Sequence, residues 1–363
     1  MTPAIWDVII VGGGPAGLTA GYYLVQHGRR VLLCDPRIPF EKPCGGGLTP
    51  RVWDFLPVSP ARFTTIRWID TLEFRMDGAP VRTVHLRRPL AIVSRKELGA
   101  RLLEAYRRAG GVFRSRTVTD FAHDGTSWRV CLDDAVWTCA RFLVFADGVY
   151  GISRRRFGHF TDACHWTRTV GYLIPGSADR VVVEFWSRMD GYAWVFPRAD
   201  ATSVGICDVV GQCGSSITAR LNAWCRSLNW DPARAVQRYG YLIPSPKGPR
   251  GWPPLMGEHW ARIGDASGFV DPITREGIVH AVESGYRLAM SLCQDRYPDA
   301  WTTWLHQTRG PEWRSAMRWR RWFFRPTVLR TMLRALRYPR YVRLLEGLIT
   351  GEVSYHRLWM ELL

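Results

Sequence analysis

Three glycines near the start of the chain have the spacing of a phosphate-binding turn. Gly12, Gly14 and Gly17 follow a strand-like apolar run, and Asp35 follows a second one. Gly12 allows a tight turn, Gly14 lets the backbone approach a pyrophosphate, and Gly17 lets a helix pack closely on a strand. Asp35 is placed to accept hydrogen bonds from the ribose hydroxyls of an adenosine. The pattern indicates dinucleotide binding, and Ala16, inside the same turn, is assigned to the same site.

Hydrophobic periodicity predicts the elements that position these residues. Trp6–Val11 and Val31–Cys34 have the composition of buried strands, and helical spacing runs from Leu18 to Gly28 between them. The order of strand, glycine turn, helix, strand and acid is that of a Rossmann-type unit, with the pyrophosphate at the N-terminus of the helix. A glycine-rich turn in an ordinary α/β unit is the alternative, and it leaves the position of Asp35 unexplained.

Two later segments indicate which dinucleotide is bound. Apolar runs end in Asp147-Gly148 and in Gly264-Asp265, and the second run is followed by Gly277. A chain that bound FAD and NAD(P)H in separate Rossmann units would be expected to carry a second glycine fingerprint, and this sequence has none. We therefore predict FAD as the resident cofactor.

These three fingerprints, in this order, resemble the para-hydroxybenzoate-hydroxylase-like superfamily of FAD proteins. The resemblance implies that Asp265 binds the ribityl chain, and that Gly277 and Ile278 present backbone N–H groups near the pyrimidine end of the flavin. It also implies that Arg95, at the start of a predicted helix, contacts the cofactor. A surface salt bridge is the alternative role for Arg95.

Three segments narrow the resemblance to the geranylgeranyl reductase family. They are Lys42–Leu48 (KPCGGGL), Tyr192–Pro197 (YAWVFP) and Asp271–Ile278 (DPITREGI). Enzymes of that family hydrogenate carbon–carbon double bonds of isoprenoid chains with reduced FAD, and the resemblance spans roughly residues 5–295. Met189 is a departure, because the family's aromatic motif often has a proline three residues before its tyrosine.

Cys44 is the candidate proton donor. It lies in a loop with Gly45, Gly46 and Gly47, where the absence of side chains lets the backbone pass close to the flavin ring. Reduction of an alkene needs one hydride and one proton, and a thiol in this place could supply the proton. We assign Cys44, Gly45 and Gly46 to the catalytic site, and Cys44 also to the cofactor site. The alternative is a small buried hydrophobic residue, the role expected of the other eight cysteines.

An alternating aromatic segment is the candidate wall of a substrate site. Tyr192, Trp194 and Phe196 recur with the period of a β-strand, so one face of that strand is aromatic. Together with Pro197 they are assigned to the binding of a long apolar chain. Packing in an ordinary core is the alternative.

The expected fold is α/β (α+β overall), with a Rossmann-type FAD-binding domain, an inserted antiparallel β-sheet substrate domain and a C-terminal helical region. The FAD domain is assigned to 1–65, 94–160 and 250–299, the substrate domain to 66–93 and 161–249, and the amphipathic helices to 300–363. Strand-like segments at 66–76, 81–93 and 181–209 are expected to build the inserted sheet, and the proline-rich stretch 244–254 to be the return linker.

The chain is basic, most strongly in its last part. Its 363 residues include 49 basic and 32 acidic side chains, and all but three of the basic ones are arginine, a skew that genome base composition can also produce. Residues 300–363 alone hold 12 Arg against 4 Glu, and 6 of the 18 Trp. A nucleic acid, an anionic membrane surface or a phosphorylated substrate could each match this charge.

The basic residues of this last part are arranged in helical stripes. One helical stripe is basic and contains Arg314, Arg318, Arg321 and Arg325. Another side contains Trp313, Ala316, Met317 and Phe324. After Pro326, an apolar face of Leu329, Met332, Leu333 and Leu336 runs beside Arg330, Arg334 and Arg337. Basic amphipathic helices with Trp can lie in a membrane interface. They can equally pack on the FAD domain with their basic side in solvent. We expect peripheral membrane contact through 311–363, and no nucleic-acid binding, because no known nucleic-acid module accompanies the charge.

Several classes of protein are excluded. The sequence has no apolar run of about 18 residues and no pattern of a signal peptide, and its nine cysteines include no C-x-x-C pair. A transmembrane helix, a disulfide framework and a zinc site are therefore not expected. We expect a reducing, cytoplasmic location, peripheral to the inner face of the cell membrane.

The combined prediction is an FAD-dependent reductase of isoprenoid double bonds, acting on a geranylgeranyl-type chain carried by a diphosphate, lipid, pigment or quinone. Electrons would come from NAD(P)H or from a reduced ferredoxin-like protein, each a transient partner. A flavin monooxygenase or halogenase on the same fold is the enzymatic alternative, since Tyr192–Pro197 also resembles the Trp-x-Trp-x-Ile-Pro motif of halogenases. A membrane-docked flavoprotein that only relays electrons is the non-enzymatic alternative.

Overall fold

The structure of the protein is a computed structural model that describes residues 5–158, 162–211, 217–246 and 254–362. In chain order the strands are β1 (Trp6–Val11), β2 (Val31–Cys34), β3 (Gly47–Leu48), β4 (Arg67–Met76), β5 (Ala79–Ile92), β6 (Val112–Arg114), β7 (Val118–His123), β8 (Trp128–Leu132), β9 (Trp137–Phe145), β10 (Trp166–Ile174), β11 (Val181–Phe185), β12 (Tyr192–Pro197), β13 (Thr202–Val209), β14 (Gln237–Pro244), β15 (Met256–Gly257) and β16 (Trp260–Arg262). The helices are α1 (Pro15–Gln26), α2 (Arg95–Arg108), α3 (Ser153–Phe157), α4 (Ile217–Ser227), α5 (Ile278–Cys293), α6 (Asp299–Thr303), α7 (Gly310–Phe323), α8 (Pro326–Ala335), α9 (Pro339–Thr350) and α10 (Leu358–Leu362), with a π-helical stretch at Trp304–Arg309.

The first sheet has a parallel centre. Its main path within the described residues is β15–β16–β9–β1–β2–β6, and the β7–β8 hairpin joins it through β9. Val8 and Ile10 of β1 pack in a core with residues of α1, α2 and α5. Ile9 and Val11 pack on the other face with residues of the hairpin. A strand covered on both faces must be apolar on both sides, which explains the unbroken apolar run that precedes the glycine turn.

The second sheet joins distant segments of the chain. Its order within the described residues is β14–β10–β13–β12–β11–β4–β5–β3. The predicted strand segments 66–76, 81–93 and 181–209 all contribute to it. Its neighbouring strands are antiparallel except for β4 and β11, which are parallel. The predicted antiparallel sheet is therefore confirmed, with one parallel pair; β4 and β11 come from separate segments, so no hairpin fixes their direction.

The C-terminal helices pack on both bodies of the protein, the first body being built around the first sheet and the second body around the second sheet. Trp313 and Met317 of α7 are buried in the core of the first sheet. Leu329, Leu333 and Leu336, by contrast, are buried against β4 and β5 of the second sheet. The alternative expectation of packing on the FAD domain thus holds for α7, whereas α8 and α9 cover the apolar face of the β4–β5 hairpin. No helix in the described parts of the chain combines the length and apolar character needed to cross a bilayer.

The fold class predicted from the sequence is confirmed: a Rossmann-type body, a second curled sheet and a helical C-terminal region. The domain boundaries stay a prediction. The predicted linker at 244–254 lies largely outside the described residues, because 247–253 are not among them.

Candidate functional site

The glycine turn between β1 and α1 has the geometry expected of a phosphate-binding turn. Gly12 has a φ of +104°, and a Cβ there would overlap the carbonyl oxygen of Ala146. A Cβ on Gly17 would overlap the carbonyl oxygen of Gly12, whereas one on Gly14 would meet no atom within 4 Å. Ala16 packs on Gly264, because a Cβ added to Gly264 would lie 3.0 Å from the Cβ of Ala16. The turn is tightly packed on the protein side and open at Gly14, in front of the N-terminus of α1, where anions bind favourably.

Asp35 lies beside this turn at the end of β2. Its Oδ2 accepts a hydrogen bond of 2.8 Å from the backbone N–H of Gly13. Its Oδ1 accepts bonds of 2.8 and 3.0 Å from the N–H groups of Arg37 and Ile38. These bonds fix the carboxylate next to the glycine turn, and the lone pairs that remain on its two oxygens can accept from a ribose.

Asp265 joins the Cys44 loop to the start of α5. Its Oδ2 lies 2.7 Å from Nζ of Lys42, and a Cβ on Gly277 would lie 3.4 Å from its Oδ1. Burial opposes the charge of Lys42, but the Asp265 carboxylate raises the pKa of Lys42 above its ordinary value. Arg95 is 8% exposed, and its Nε has no hydrogen-bond partner among the described residues. The sequence analysis named Lys42 only as part of the segment Lys42–Leu48 and did not predict its contact with Asp265.

Asp147 holds the turn after β9. Its two carboxylate oxygens accept bonds of 2.8 Å from the backbone N–H and the hydroxyl of Ser153. Burial raises the pKa of Asp147, although the bonds from Ser153 oppose this shift. Gly148 follows with a φ of +69°. The geometry gives Asp147 a positioning role in this turn, and direct cofactor contact by Asp147 or Gly148 stays a prediction.

The residues present fit FAD. Contacts connect the glycine turn to the strand end at Ala146, Ala16 to Gly264, and Asp265 to Gly277, so the predicted cofactor segments meet along one side of the first sheet. The open position at Gly14 suits the pyrophosphate, and the unpartnered guanidinium nitrogen of Arg95 suits an oxygen-rich ligand. At the start of α5 the N–H of Val279 donates to Oε1 of Glu276. The contact of the Gly277 and Ile278 N–H groups with the flavin stays a prediction.

The loop that carries Cys44 is clamped from two sides. A Cβ on Gly45 or Gly47 would lie 2.8 or 2.7 Å from the ring of Phe196, and one on Gly46 would overlap the carbonyl oxygen of Val93. The Sγ of Cys44 accepts a bond of 3.4 Å from the N–H of Gly46. The three glycines are therefore required by packing, and they bring the thiol to the wall of a cavity.

Arg198 anchors the start of this loop, and sequence reasoning missed it. Its side chain is 1% exposed and pairs with Glu41, while its Nε donates 3.4 Å to the carbonyl oxygen of Val93. Glu41 also accepts from the hydroxyl of Ser94 at 2.6 Å. The only sequence signal is that Arg198 follows the YAWVFP motif directly.

The aromatic strand β12 lines the same cavity. Tyr192, Trp194 and Phe196 all contribute to the wall. The hydroxyl of Tyr192 donates to the carbonyl oxygen of Thr274, and Nε1 of Trp194 donates 3.3 Å to the hydroxyl of Ser203. The strand therefore has the wall-forming position predicted for it, and its binding of substrate stays a prediction. Pro197 is buried at the strand's end and is not among the residues that line the cavity.

The cavity has a volume of about 750 Å³ and lies between the two bodies and the C-terminal helices. Its apolar part is lined by the second sheet and by α7, α8 and α9, through Leu72, Phe74, Leu90, Val181, Val183, Phe185, Phe323, Met332, Leu345, Leu348 and Ile349. The Cys44 loop and the segment Asp271–His280 form another part of the wall. The arrangement suits a long apolar ligand whose chain passes the thiol.

Ionisable groups occupy the wall around the start of α5. Burial raises the pKa of Glu276 to about 7. Burial lowers the pKa of His280 well below its ordinary value, and the nearby charges of Arg309 and Arg51 lower it further. Burial also lowers the pKa of Arg309 to about 9, which leaves this guanidinium charged at neutral pH. Perturbed titratable groups in a cavity wall are a feature of functional sites.

Comparisons of the sequence with known proteins find a Rossmann-like domain family and several reductases. Residues 10–49 match the NAD(P)-binding Rossmann-like domain family. The chain is 28% identical over 345 residues to the menaquinone reductase of Mycolicibacterium smegmatis, an alignment that covers 84% of this chain and 81% of that protein. It is 27% identical over 301 residues to the geranylgeranyl diphosphate reductase of Rhodobacter capsulatus, covering 77% and 73% of the two chains.

Two solved structures share the fold. A geranylgeranyl bacteriochlorophyll reductase-like protein from Thermoplasma acidophilum superposes with a TM-score of 0.74 at 18% identity, over 91% of this chain and 88% of that one. The flavin-dependent brominase Bmp2 superposes with a TM-score of 0.78 at 17% identity, over 96% and 94%. At these identities the two structures establish the fold alone.

The fold and the site define a flavin-dependent oxidoreductase with an FAD-binding Rossmann-type body. Within that class the chain is similar in sequence to proteins named as geranylgeranyl diphosphate and menaquinone reductases.

Proposed function

We propose that the protein reduces carbon–carbon double bonds of an isoprenoid chain. The observation that carries the proposal is the cavity of about 750 Å³, whose walls are apolar over most of their extent and include the thiol of Cys44 and the aromatic strand β12. A branched hydrocarbon chain fits such a cavity through the hydrophobic effect, and it offers few polar groups for the wall to satisfy. Relatives named for geranylgeranyl diphosphate and menaquinone reduction support the same substrate class.

The residues of the cavity divide the work of the reaction. Reduced FAD, when bound, would supply the hydride. Cys44 would donate the proton to the second alkene carbon, since saturation of one double bond consumes one hydride and one proton. Tyr192, Trp194 and Phe196 would hold the chain against the loop and exclude water. NAD(P)H or a reduced ferredoxin-like protein would reload the cofactor as a transient electron donor.

The test is anaerobic incubation of the FAD-loaded protein with dithionite and an isoprenoid substrate, followed by mass spectrometry of the extracted lipid. The proposal predicts a product that has gained two hydrogen atoms for each reduced bond. A lipid that stays unchanged would contradict the proposal and would support the electron-relay alternative.

A flavin monooxygenase or halogenase is the second candidate, favoured by the similarity of fold to the brominase. Such an enzyme needs oxygen and does not add hydrogen to the double bonds of the chain. Product formation only after oxygen is admitted would therefore support this candidate and contradict the reductase.

We further propose that the outer surface of α7, α8 and α9 contacts an anionic membrane. This surface carries exposed arginines along all three helices, namely Arg314, Arg318, Arg321, Arg325, Arg330, Arg334, Arg337, Arg340 and Arg343. Trp322 and Tyr338, which are 51% and 48% exposed, lie among them. The apolar faces of the same helices are buried inside the protein, so the contact would be electrostatic with aromatic anchors rather than an insertion of whole helices.

A further inference from the structure

The part of the cavity wall next to α5 contains three polar atoms that have no hydrogen-bond partner among the described residues. They are the hydroxyl of Thr49, Nδ1 of His280 and Nε of Arg309. Arg309 is 5% exposed, and all three residues line the cavity. Because burial keeps His280 neutral, its Nδ1 can donate or accept a hydrogen bond. Buried polar atoms without partners are rare in proteins, which points to a ligand that supplies the missing bonds.

These atoms belong to one cluster. Arg51 lies 2.9 Å from Glu283, and Arg309 pairs with the other oxygen of the same carboxylate. The ring of His280 lies 5.4 Å from that of Trp313, and the guanidinium of Arg309 lies 4.8 Å from the same ring. Thr49 follows the Cys44 loop and precedes Arg51 by two residues, so the cluster is continuous with the loop that carries the thiol.

Among the residues that the structure describes, the cluster has no surplus of positive charge. Arg51 and Arg309 share the carboxylate of Glu283, and the carboxyl groups of Glu276 and Glu312 lie in the same part of the wall. The N-terminus of α5 is also engaged, because its N–H at Val279 donates 2.8 Å to Glu276. A diphosphate carries several negative charges and needs unpaired cations or free backbone N–H groups to replace its water.

The other arginines of the cavity wall leave this balance unchanged. Arg275 shares the carboxylate of Asp190 with Arg320, each at 3.1 Å, and the carboxyl group of Asp271 lies in the same part of the wall. Arg357 lies at the exposed rim of the cavity, where Glu352 also contributes to the wall. As far as the described residues form its wall, the cavity therefore offers hydrogen bonds without net positive charge.

We propose that this polar cluster binds an uncharged, oxygen-bearing ring, as in a prenylated quinone, whose isoprenoid chain lies in the apolar part of the cavity. Arg309 Nε and the Thr49 hydroxyl donate to a ring oxygen, and His280 Nδ1 bonds a ring oxygen as donor. The inference rests on the proposed function, and it selects among the head groups that the proposed function leaves open.

The test measures equilibrium binding to the oxidised, FAD-loaded full chain, where no turnover occurs. The two probes carry the same geranylgeranyl chain, one on a menaquinone ring and one on a diphosphate. We expect the menaquinone to bind at least about tenfold more tightly, and Thr49→Val combined with His280→Phe to weaken its binding by about tenfold or more. The matched control is Thr327→Val on exposed α8, which should leave both dissociation constants unchanged.

Retention of FAD and an unchanged thermal midpoint in the double variant show that its binding loss is local. Equal or tighter binding of the diphosphate would overturn the inference, and so would unchanged menaquinone binding in the folded double variant. A menaquinone that binds with the expected preference but keeps its double bonds under reducing conditions upholds the head-group site and contradicts the reductase proposal. Reduction of the chain on the diphosphate, without preference for the quinone, would support the reductase proposal and contradict the head-group site.

Discussion

Nζ of Lys42 lies 2.7 Å from Oδ2 of Asp265, and this ion pair joins the loop that carries Cys44 to the turn after β16, which belongs to the predicted FAD site (the cofactor groove). The ring of Tyr241 lies 4.8 Å from the same ammonium group. The pair is largely buried, with each side chain about one fifth exposed (22% and 20%). A change at Asp265 should therefore affect the cofactor groove and the position of the loop together.

Asp265→Asn is expected to weaken FAD binding by about tenfold or more, because it removes a charged hydrogen-bond acceptor and leaves the Lys42 charge without its partner. The measurement is a titration of the apoprotein with FAD, in which binding is detected as quenching of flavin fluorescence. Asp179→Asn is the control, since that side chain is 78% exposed and far along the chain from the groove. An unchanged dissociation constant for FAD would remove Asp265 from the cofactor site.

Cys44→Ser is expected to slow reduction of the substrate by about a hundredfold or more while FAD binding stays the same, because a hydroxyl is a much weaker acid than a thiol. The rate is measured under saturating substrate, so that a change in binding does not enter. The exposed Cys164, replaced by Ser, is the matched control. A Cys44→Ser protein that turns over at the parent rate would leave the proton donor to another group.

Glu276 is expected to make stability depend on pH. Its pKa is raised from 4.5 to about 7 in the folded protein, so the folded state holds the proton more tightly than the unfolded chain does. The stabilisation is present in full below about pH 4.5 and is lost as the pH rises through about 7, and the raised pKa corresponds to about 3 kcal/mol at most.

Glu276→Gln removes this dependence. The thermal midpoint of the variant should therefore exceed that of the parent by more at about pH 8 than at about pH 5. Glu258→Gln, at a side chain that is 87% exposed, serves as the control. The same difference between variant and parent at both pH values would contradict a raised pKa for Glu276.

Charge reversal on α7 and at Arg325, just after it, is expected to weaken sedimentation with anionic vesicles. Replacement of Arg318, Arg321 and Arg325 by Glu should lower the partition coefficient for phosphatidylglycerol vesicles by at least about tenfold, since each basic residue near such a surface contributes roughly 1 kcal/mol. Removal of 311–363 is unsuitable, because Trp313 and Leu333 of that segment are buried in the cores.

The control for this experiment is a triple variant with the same change of charge at exposed arginines of the first body, namely Arg107, Arg129 and Arg155. It should bind the vesicles as the parent does. Equal loss in both triple variants would mean that binding follows net charge, and no binding by the parent would contradict membrane contact.

The local parts of the site could be predicted from the sequence, because their contacts lie within short segments. Gly12, Gly17 and Asp35 belong to one strand–helix–strand unit, so their spacing alone indicates their geometry. The glycines around Cys44 were predicted to let the backbone pass close to the flavin ring, and that contact stays a prediction; in the structure they pack on protein atoms. One of these contacts is with Phe196 of β12, which lies far along the chain and could not be inferred from the spacing of the glycines.

The remainder depends on contacts between distant segments, which single-sequence patterns do not encode. The clamp of Arg198 on Glu41 joins residues 157 positions apart, and the cluster of Arg51, Glu283 and Arg309 spans three segments. Amphipathic spacing predicted which face of α8 is apolar. It could not reveal that the second sheet, rather than a membrane or the first body, covers this face.

The most direct test of the reductase proposal is an anaerobic single-turnover experiment in a stopped-flow spectrophotometer. The FAD-loaded protein is reduced with one equivalent of dithionite and mixed with a prenylated menaquinone whose ring is already reduced, so that only the chain can accept electrons. We expect the absorbance of oxidised flavin to return without oxygen, and one double bond to be lost for each flavin reoxidised. Absorbance that returns only when oxygen is admitted, with every double bond intact, would contradict it.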